Sequence, residues 1–301
     1  MMTKPHAAQS FASPAGLADI AANYDVILSD IWGVVHNGLT ASQDACNALE
    51  QFRNSGGTVV LITNAPRPSG PIIQQLQQLG APASCYDHVV TSGDVTTALI
   101  AARPGQSLYH IGPHYDLALV DKAALLMPSA PRLVPLEEAD YVLCTGLFHD
   151  ETEIPSDYDA SFALAKARGL TMICANPDIV VHRGEALIYC GGALGERYSQ
   201  QGGETIYAGK PYAPIYEECL RKALKIRGKE FSKSRVLTIG DALRTDVAGA
   251  IAQNLDILMI SNGLHRDEMH DADSVLDIAR SEAFLQGHAL WPTYVMKSLQ
   301  W

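Results

Sequence analysis

Residues 24–38 read YDVILSDIWGVVHNG, and the interpretation of the whole chain turns on them. Val26, Ile27 and Leu28 form a run of buried-strand residues that leads to one carboxylate, Asp30, before the chain turns at Gly33. Such a run suits a strand covered on both faces. In an open α/β sheet the carboxyl ends of strands carry the reacting groups, so Asp30 is a candidate for chemistry. Two positions further on, where acid–base chemistry would want a second carboxylate, stands Trp32.

Working outward, the same design recurs. Residues 58–64, TVVLITN, form a β-branched and apolar run, and residues 235–241, RVLTIGD, end in Asp241. Amphipathic helices fall between the runs. Ser42 can cap one that continues to about residue 54 with Ala45, Leu49 and Phe52 on one stripe, and another from about residue 69 carries Ile72, Leu76 and Leu79. Upstream, residues 1–12 read as a loose arm and 13–20 as a short helix opened by Ser13 with Pro14 in its first turn.

From about residue 94 the rhythm restarts. Helices are expected at 94–102 and 157–168 and strands at 108–111, 141–145 and 170–175, with a proline-rich loop at 127–131. This is a small α/β unit in its own right, and inserted into a larger one it would be a cap or lid. The final third returns to the opening pattern. It has a strand-like 205–209, a helix opened by Pro211, the run ending in Asp241, a helix at 245–253, a strand at 255–260, and a last helix and short strand within 274–301.

A chain of 301 residues is one large or two modest domains, and 47% hydrophobic with 18% charged residues is ordinary for a globular protein. A formal net charge of −11 and a pI near 5.3 argue against a general affinity for nucleic acid or an anionic membrane. Six cysteines, at 46, 85, 144, 174, 190 and 219, form neither a CxxC pair nor a metal-ligand spacing, which suits a reducing cytoplasm. Residues 1–16 lack the apolar run of a secretory signal, and no stretch approaches the roughly 20 apolar residues that cross a bilayer.

Four positions stand at strand ends or helix starts: Asp30, Thr63, Lys210, and Asp241 with Asp246. Each alone has a plain reading, as turn, cap or solvated side chain. Together they specify phosphoryl transfer, which needs a nucleophile, positive charge on the transferred oxygens and a hard cation with oxygen ligands. Asp30 can attack phosphorus and become an aspartyl-phosphate. Asp30 and Asp241 can hold Mg²⁺, while Thr63 and Lys210 can meet the phosphoryl oxygens.

These segments resemble the haloacid dehalogenase-like hydrolase superfamily, and within it the class IIA capped phosphatases. The resemblance rests on DIWGVVHNG at 30–38, LITNA at 61–65, GKP at 209–211 and GDALRTD at 240–246, with ANPD at 175–178 as the step that closes the cap. It implies a doubly wound parallel-sheet core, 24–93 and 191–301, with an inserted α/β cap at 94–190 and residues 1–23 as arm and short helix. It implies Asp30, Thr63 and Lys210 as catalytic residues, and Thr63, Asn64, Lys210 and His36 as the residues that meet substrate. The Mg²⁺ site would be made by Asp30, the backbone carbonyl of Trp32 and Asp241, with Asp246 beside them orienting metal-bound water or Lys210. The substrate would be a small phosphorylated metabolite, and a homodimer through the cap is the expected assembly.

The family's phosphatases use a second aspartate at the Trp32 position to protonate the leaving oxygen and then activate water. Trp32 can do neither, and such a group contributes roughly 10²–10⁴ in rate. The expectation is therefore a weakened or narrowed phosphatase, acting on phosphates whose leaving group needs little protonation. His36 is the nearest titratable substitute. A non-catalytic phospholigand binder stands second, and a dehalogenase-like hydrolase third, since halide displacement has no use for Asp241 and Asp246. Cap histidines 110, 114, 149 and 182 are candidate specificity residues with equally good readings as surface or core.

Overall fold

The alternation of β-branched runs with amphipathic helices produces thirteen strands in a computed structural model that describes residues 10–183 and 186–301. In chain order they are β1 Val26–Asp30, β2 Thr58–Thr63, β3 His88–Thr91, β4 Ser107–Ile111, β5 Arg132–Leu133, β6 Tyr141–Cys144, β7 Thr171–Cys174, β8 Val180–Arg183, β9 Ala186–Tyr189, β10 Glu204–Tyr207, β11 Val236–Gly240, β12 Asp256–Ile260 and β13 Tyr294–Met296. The chain divides into two compact units. The first takes the chain up to Ile62 together with Gln75–Val89 and Cys219–Trp301; the second takes Thr63–Gln74 and Val90–Glu218.

The first unit is built on a six-stranded sheet of order β13-β12-β11-β1-β2-β3. β1 runs parallel to both neighbours, with Val26 opposite Val236 on one side and Asp30 opposite Ile62 on the other. All five residues of β1 and of β11 are buried, which is why these runs carry no polar alternation. Chain order rises outward from β1 in one direction and from β11 in the other. The strand order therefore reverses between β1 and β11, the switch point at which doubly wound sheets place their ligands. The helix Gln43–Asn54 begins where expected: the Ser42 hydroxyl accepts the Ala45 N–H at 3.3 Å, and Ala45, Cys46, Ala48, Leu49 and Phe52 are buried.

The second unit has a five-stranded sheet of order β10-β7-β6-β4-β5, parallel throughout. Its period of two separates two apolar clusters. Val142, Cys144 and Met172 join Phe162 and Tyr198 on one face, while Tyr141, Leu143 and Ile173 join Ile100, Leu108 and Val120 on the other. Burial on both faces explains the unbroken apolar reading of β6.

Several expectations change. The short helix is only Ala18–Ala21, and Ser13 does not open it: its hydroxyl donates to the Val295 carbonyl, and Ala12 pairs with Tyr294 beside β13. Ala12 is thus tied to the sheet, while 1–9 of the expected arm lie outside the described residues. The strand expected at 205–209 is β10, and it pairs with β7, so the second sheet extends beyond residue 190, where the insert was expected to end. The antiparallel hairpin β8–β9 was not anticipated.

Candidate active site

The first unit gathers three carboxylates. Asp30 ends β1, Asp241 follows β11, and Asp246 lies in the turn Leu243–Val247; one oxygen from each falls within 4.8 Å of the others, and all three residues are buried. Each is oriented by the backbone. Ile31 N–H donates to Asp30 Oδ1 at 2.7 Å, Leu264 N–H to Asp241 Oδ2 at 2.9 Å, and Ala242 N–H to Asp246 Oδ2 at 3.1 Å. Leu243–Val247 is a π-helical turn, closed by Val247 N–H on the Ala242 carbonyl. Such turns recur at functional sites because the extra residue re-aims a side chain. Gly33, at φ +80°, passes so close to Asp241 that a Cβ there would collide with the carboxylate.

Three buried like charges in such proximity repel one another, and they are tolerated when a cation lies among them. An all-oxygen donor set of this kind fits a hard divalent ion. The residues therefore meet the chemical requirement of the metal that the sequence implies.

Trp32 is 51% exposed. Its indole lies over Gly38, where a Cβ would collide with the ring, and meets the buried His36 edge to face at 5.2 Å between ring centroids. His36 Nδ1 accepts the Gly38 N–H at 3.0 Å, so its one proton sits on Nε2, and burial pushes the imidazole pKa below its usual value. Buried and engaged in this way, His36 packs against Trp32. His265, on a loop that the sequence reading passed over, has its Nε2 taken by the Leu243 N–H at 3.2 Å, and burial lowers its pKa too. Burial thus disfavours the imidazolium form of both histidines.

The second unit holds the remaining expected residues. The Thr63 hydroxyl accepts the Ala65 N–H at 3.3 Å, which leaves its own hydrogen as a donor. Lys210 is 3% exposed. Its backbone N–H donates to Asn64 Oδ1 at 2.7 Å, and Asn64 Nδ2 donates to the Lys210 carbonyl at 3.1 Å and to Asp178 Oδ1 at 2.8 Å. The Asn64 amide is thus a clamp that ties the GKP segment to the ANPD segment, where the sequence reading had it meeting substrate. The signal for Asp178 was present in ANPD but was read only as a cap-closing step.

Residues 27–125 match the model of the haloacid dehalogenase-like hydrolases, and residues 207–300 match a second, described as HAD-hydrolase-like. A hydrolase of the haloacid dehalogenase-like family from Brucella suis 1330 is 44% identical in sequence, over 95% of this chain and 99% of that one, with a TM-score of 0.80. The chain belongs to the haloacid dehalogenase-like hydrolases. Within this family it is of the class IIA phosphatase type. The 5'-nucleotidase YutF of Bacillus subtilis is 25% identical over 81% of this chain and 90% of its own length. A glycerol phosphate phosphatase from Mycobacterium tuberculosis, solved in complex with magnesium, is 26% identical over 92% of this chain and 76% of that one, with a TM-score of 0.64.

Proposed function

We propose that this haloacid dehalogenase-like hydrolase is a Mg²⁺-dependent phosphatase of small phosphorylated metabolites, working through phospho-Asp30 and slowed by the aromatic residue at position 32. The observation that carries the reading is the buried triad Asp30, Asp241 and Asp246 at the switch point of the first sheet. Phosphatases and a nucleotidase among the relatives support the reaction class, and a relative solved with magnesium supports the metal. Six cysteines, all free and buried, support a cytoplasmic setting.

In this mechanism an Asp30 oxygen attacks phosphorus, the bond to the leaving oxygen breaks, and the leaving oxygen departs with the electron pair as an oxyanion that takes its proton from water. Water then cleaves the aspartyl-phosphate, which releases phosphate and restores Asp30. Mg²⁺ held by Asp30, Asp241 and the Trp32 carbonyl, with Asp246 orienting its water, would supply charge neutralisation for the phosphoryl oxygens. The family resemblance assigns the Thr63 hydroxyl and the Lys210 charge to those oxygens. The leaving oxygen finds no carboxylic acid at position 32.

The test is hydrolysis of 4-nitrophenyl phosphate with Mg²⁺, which Asp30→Asn should reduce to background. Turnover that survives in Asp30→Asn would refute the assignment. The indole at position 32, which cannot protonate a leaving oxygen, favours one alternative, a phospholigand binder without turnover. It would show Asp30-independent stabilisation by inorganic phosphate and no phosphate release.

A further inference from the structure

The first unit carries a concentration of positive charge that no step above uses. Residues 221–235, RKALKIRGKEFSKSR, hold seven of the chain's 22 lysines and arginines against one acid, Glu230, in a protein of formal net charge −11. The fold gathers them. The helix Ala213–Arg227 ends at Gly228, whose φ of +64° turns the chain back, and residues 229–235 then lead into β11. Asp25, just before β1, fastens the two ends: Arg235 Nε donates to its Oδ2 at 2.7 Å, and Arg227 Nη2 lies 3.3 Å from its Oδ1. Arg227 also donates to the Thr58 hydroxyl at the start of β2, and Lys233 Nζ to the Gln253 carbonyl ahead of β12. The segment therefore spans the amino ends of the first sheet, at the opposite end from Asp30 and Asp241.

A plain reading covers part of this. Basic residues in a last helical turn complement the helix dipole, and Arg227 and Arg235 are engaged by Asp25. It does not extend to Lys229 and Lys233, which are exposed beyond the helix, or to Leu224 and Ile226, each 43% exposed on its final turn. Like charges so concentrated repel one another, and a polyanion laid over them offsets that. Composition narrows the polyanion. Nucleic-acid sites favour arginine forks and exposed aromatic rings. Here two arginines are committed to Asp25, and the segment's single aromatic residue, Phe231, is half-buried. Exposed lysines beside exposed aliphatic side chains instead match the surface of an anionic bilayer, which offers negative headgroups over acyl carbon. At physiological salt charges are screened beyond about 8 Å, so the patch meets such a surface without the chain's distant carboxylates deciding the outcome.

We infer that residues 221–235 dock the protein reversibly on anionic membrane surfaces, with Lys225, Lys229 and Lys233 over the headgroups and Leu224 and Ile226 against the interface. The carboxylate triad then lies at the far end of the first sheet from the lipid. Docking is independent of the phosphatase reading and holds whether or not the site turns over phosphate.

The test is co-sedimentation of the whole chain with vesicles of phosphatidylcholine alone and of phosphatidylcholine mixed roughly 2:1 with phosphatidylserine, at low and high salt. Wild type should bind the mixed vesicles at low salt, leave them at high salt, and ignore the neutral ones. Lys225→Glu combined with Lys229→Glu and Lys233→Glu should lower the partition constant at least about a hundredfold, roughly fivefold for each lysine. Leu224→Ser with Ile226→Ser should lower it several-fold and leave its salt dependence unchanged. No binding to the mixed vesicles, equal binding to the neutral ones, binding that high salt does not release, or either variant binding as wild type does overturns the inference. So does tighter binding of polyuridylate or polyglutamate at equal charge, which would assign the patch to nucleic acid or to an acidic protein. Should the triple variant melt below the assay temperature, Lys229→Gln with Lys233→Gln is read the same way.

Discussion

Under the proposed mechanism Trp32 stands where a leaving-group acid would be wanted, and its indole packs against Gly38 and His36. Trp32→Asp places a carboxyl at that point. Phosphate release from alkyl phosphates should then rise at least tenfold, within the roughly 10²–10⁴ that such a group contributes. Aryl phosphates, whose leaving groups are stable as anions, should gain far less. Asp116 gives a second prediction. Burial raises its pKa to about 6, so the folded protein binds this proton more tightly than the unfolded chain does. Stability is therefore lost as pH rises from about 4 to about 6, and the cost is fully present above that. Asp116→Asn should remove this slope, shifting its unfolding free energy relative to wild type by on the order of 1–3 kcal/mol between pH 4 and pH 8 in denaturant titrations.

At the level of elements, the helix Gln43–Asn54 depends on its first turn. Ser42→Ala removes the acceptor for the Ala45 N–H and should cost about 1 kcal/mol, read as a lower melting temperature. The cap was legible because serine before an amphipathic stripe has one common use. β1, β2 and β11 were legible for a related reason: strands buried on both faces need unbroken apolar runs, and few other structures do. Asp30 and Asp241 could be placed at strand ends from that alone. The π-helical turn at Leu243–Val247 was not legible, because one extra residue per turn leaves no mark on an apolar stripe as short as this. The grouping of β10 with β7 was hidden as well, since a parallel partner is chosen across a long connection and not by local sequence. The contact between Trp32 and His36 depends on the turn through Gly33 and Gly38, whose path sequence does not show.

Considered as a whole, the molecule is assembled from five stretches of chain, three in the first unit and two in the second. Among the described residues no helix is long and apolar enough to cross a membrane. The first unit is closed by its last stretch. Arg235 binds the Asp25 carboxylate at 2.7 Å across 210 residues of sequence, and the β11 that follows lies directly against β1. A chain ended at Glu218 lacks β11, β12 and β13 but retains the second unit. Limited proteolysis of that truncated protein should leave residues 90–218 protected and cut the region before residue 62; equal protection of both would count against the division.

That arrangement has a consequence for synthesis. The strand that ends in Asp30 emerges early, and its neighbour β11 follows it by some 210 residues. At about 5–20 residues per second this leaves β1 with an unpaired edge for roughly 10–40 s on the ribosome. Its five residues are apolar or small apart from Asp30, so over that interval the edge is open to chaperones and to wrong partners.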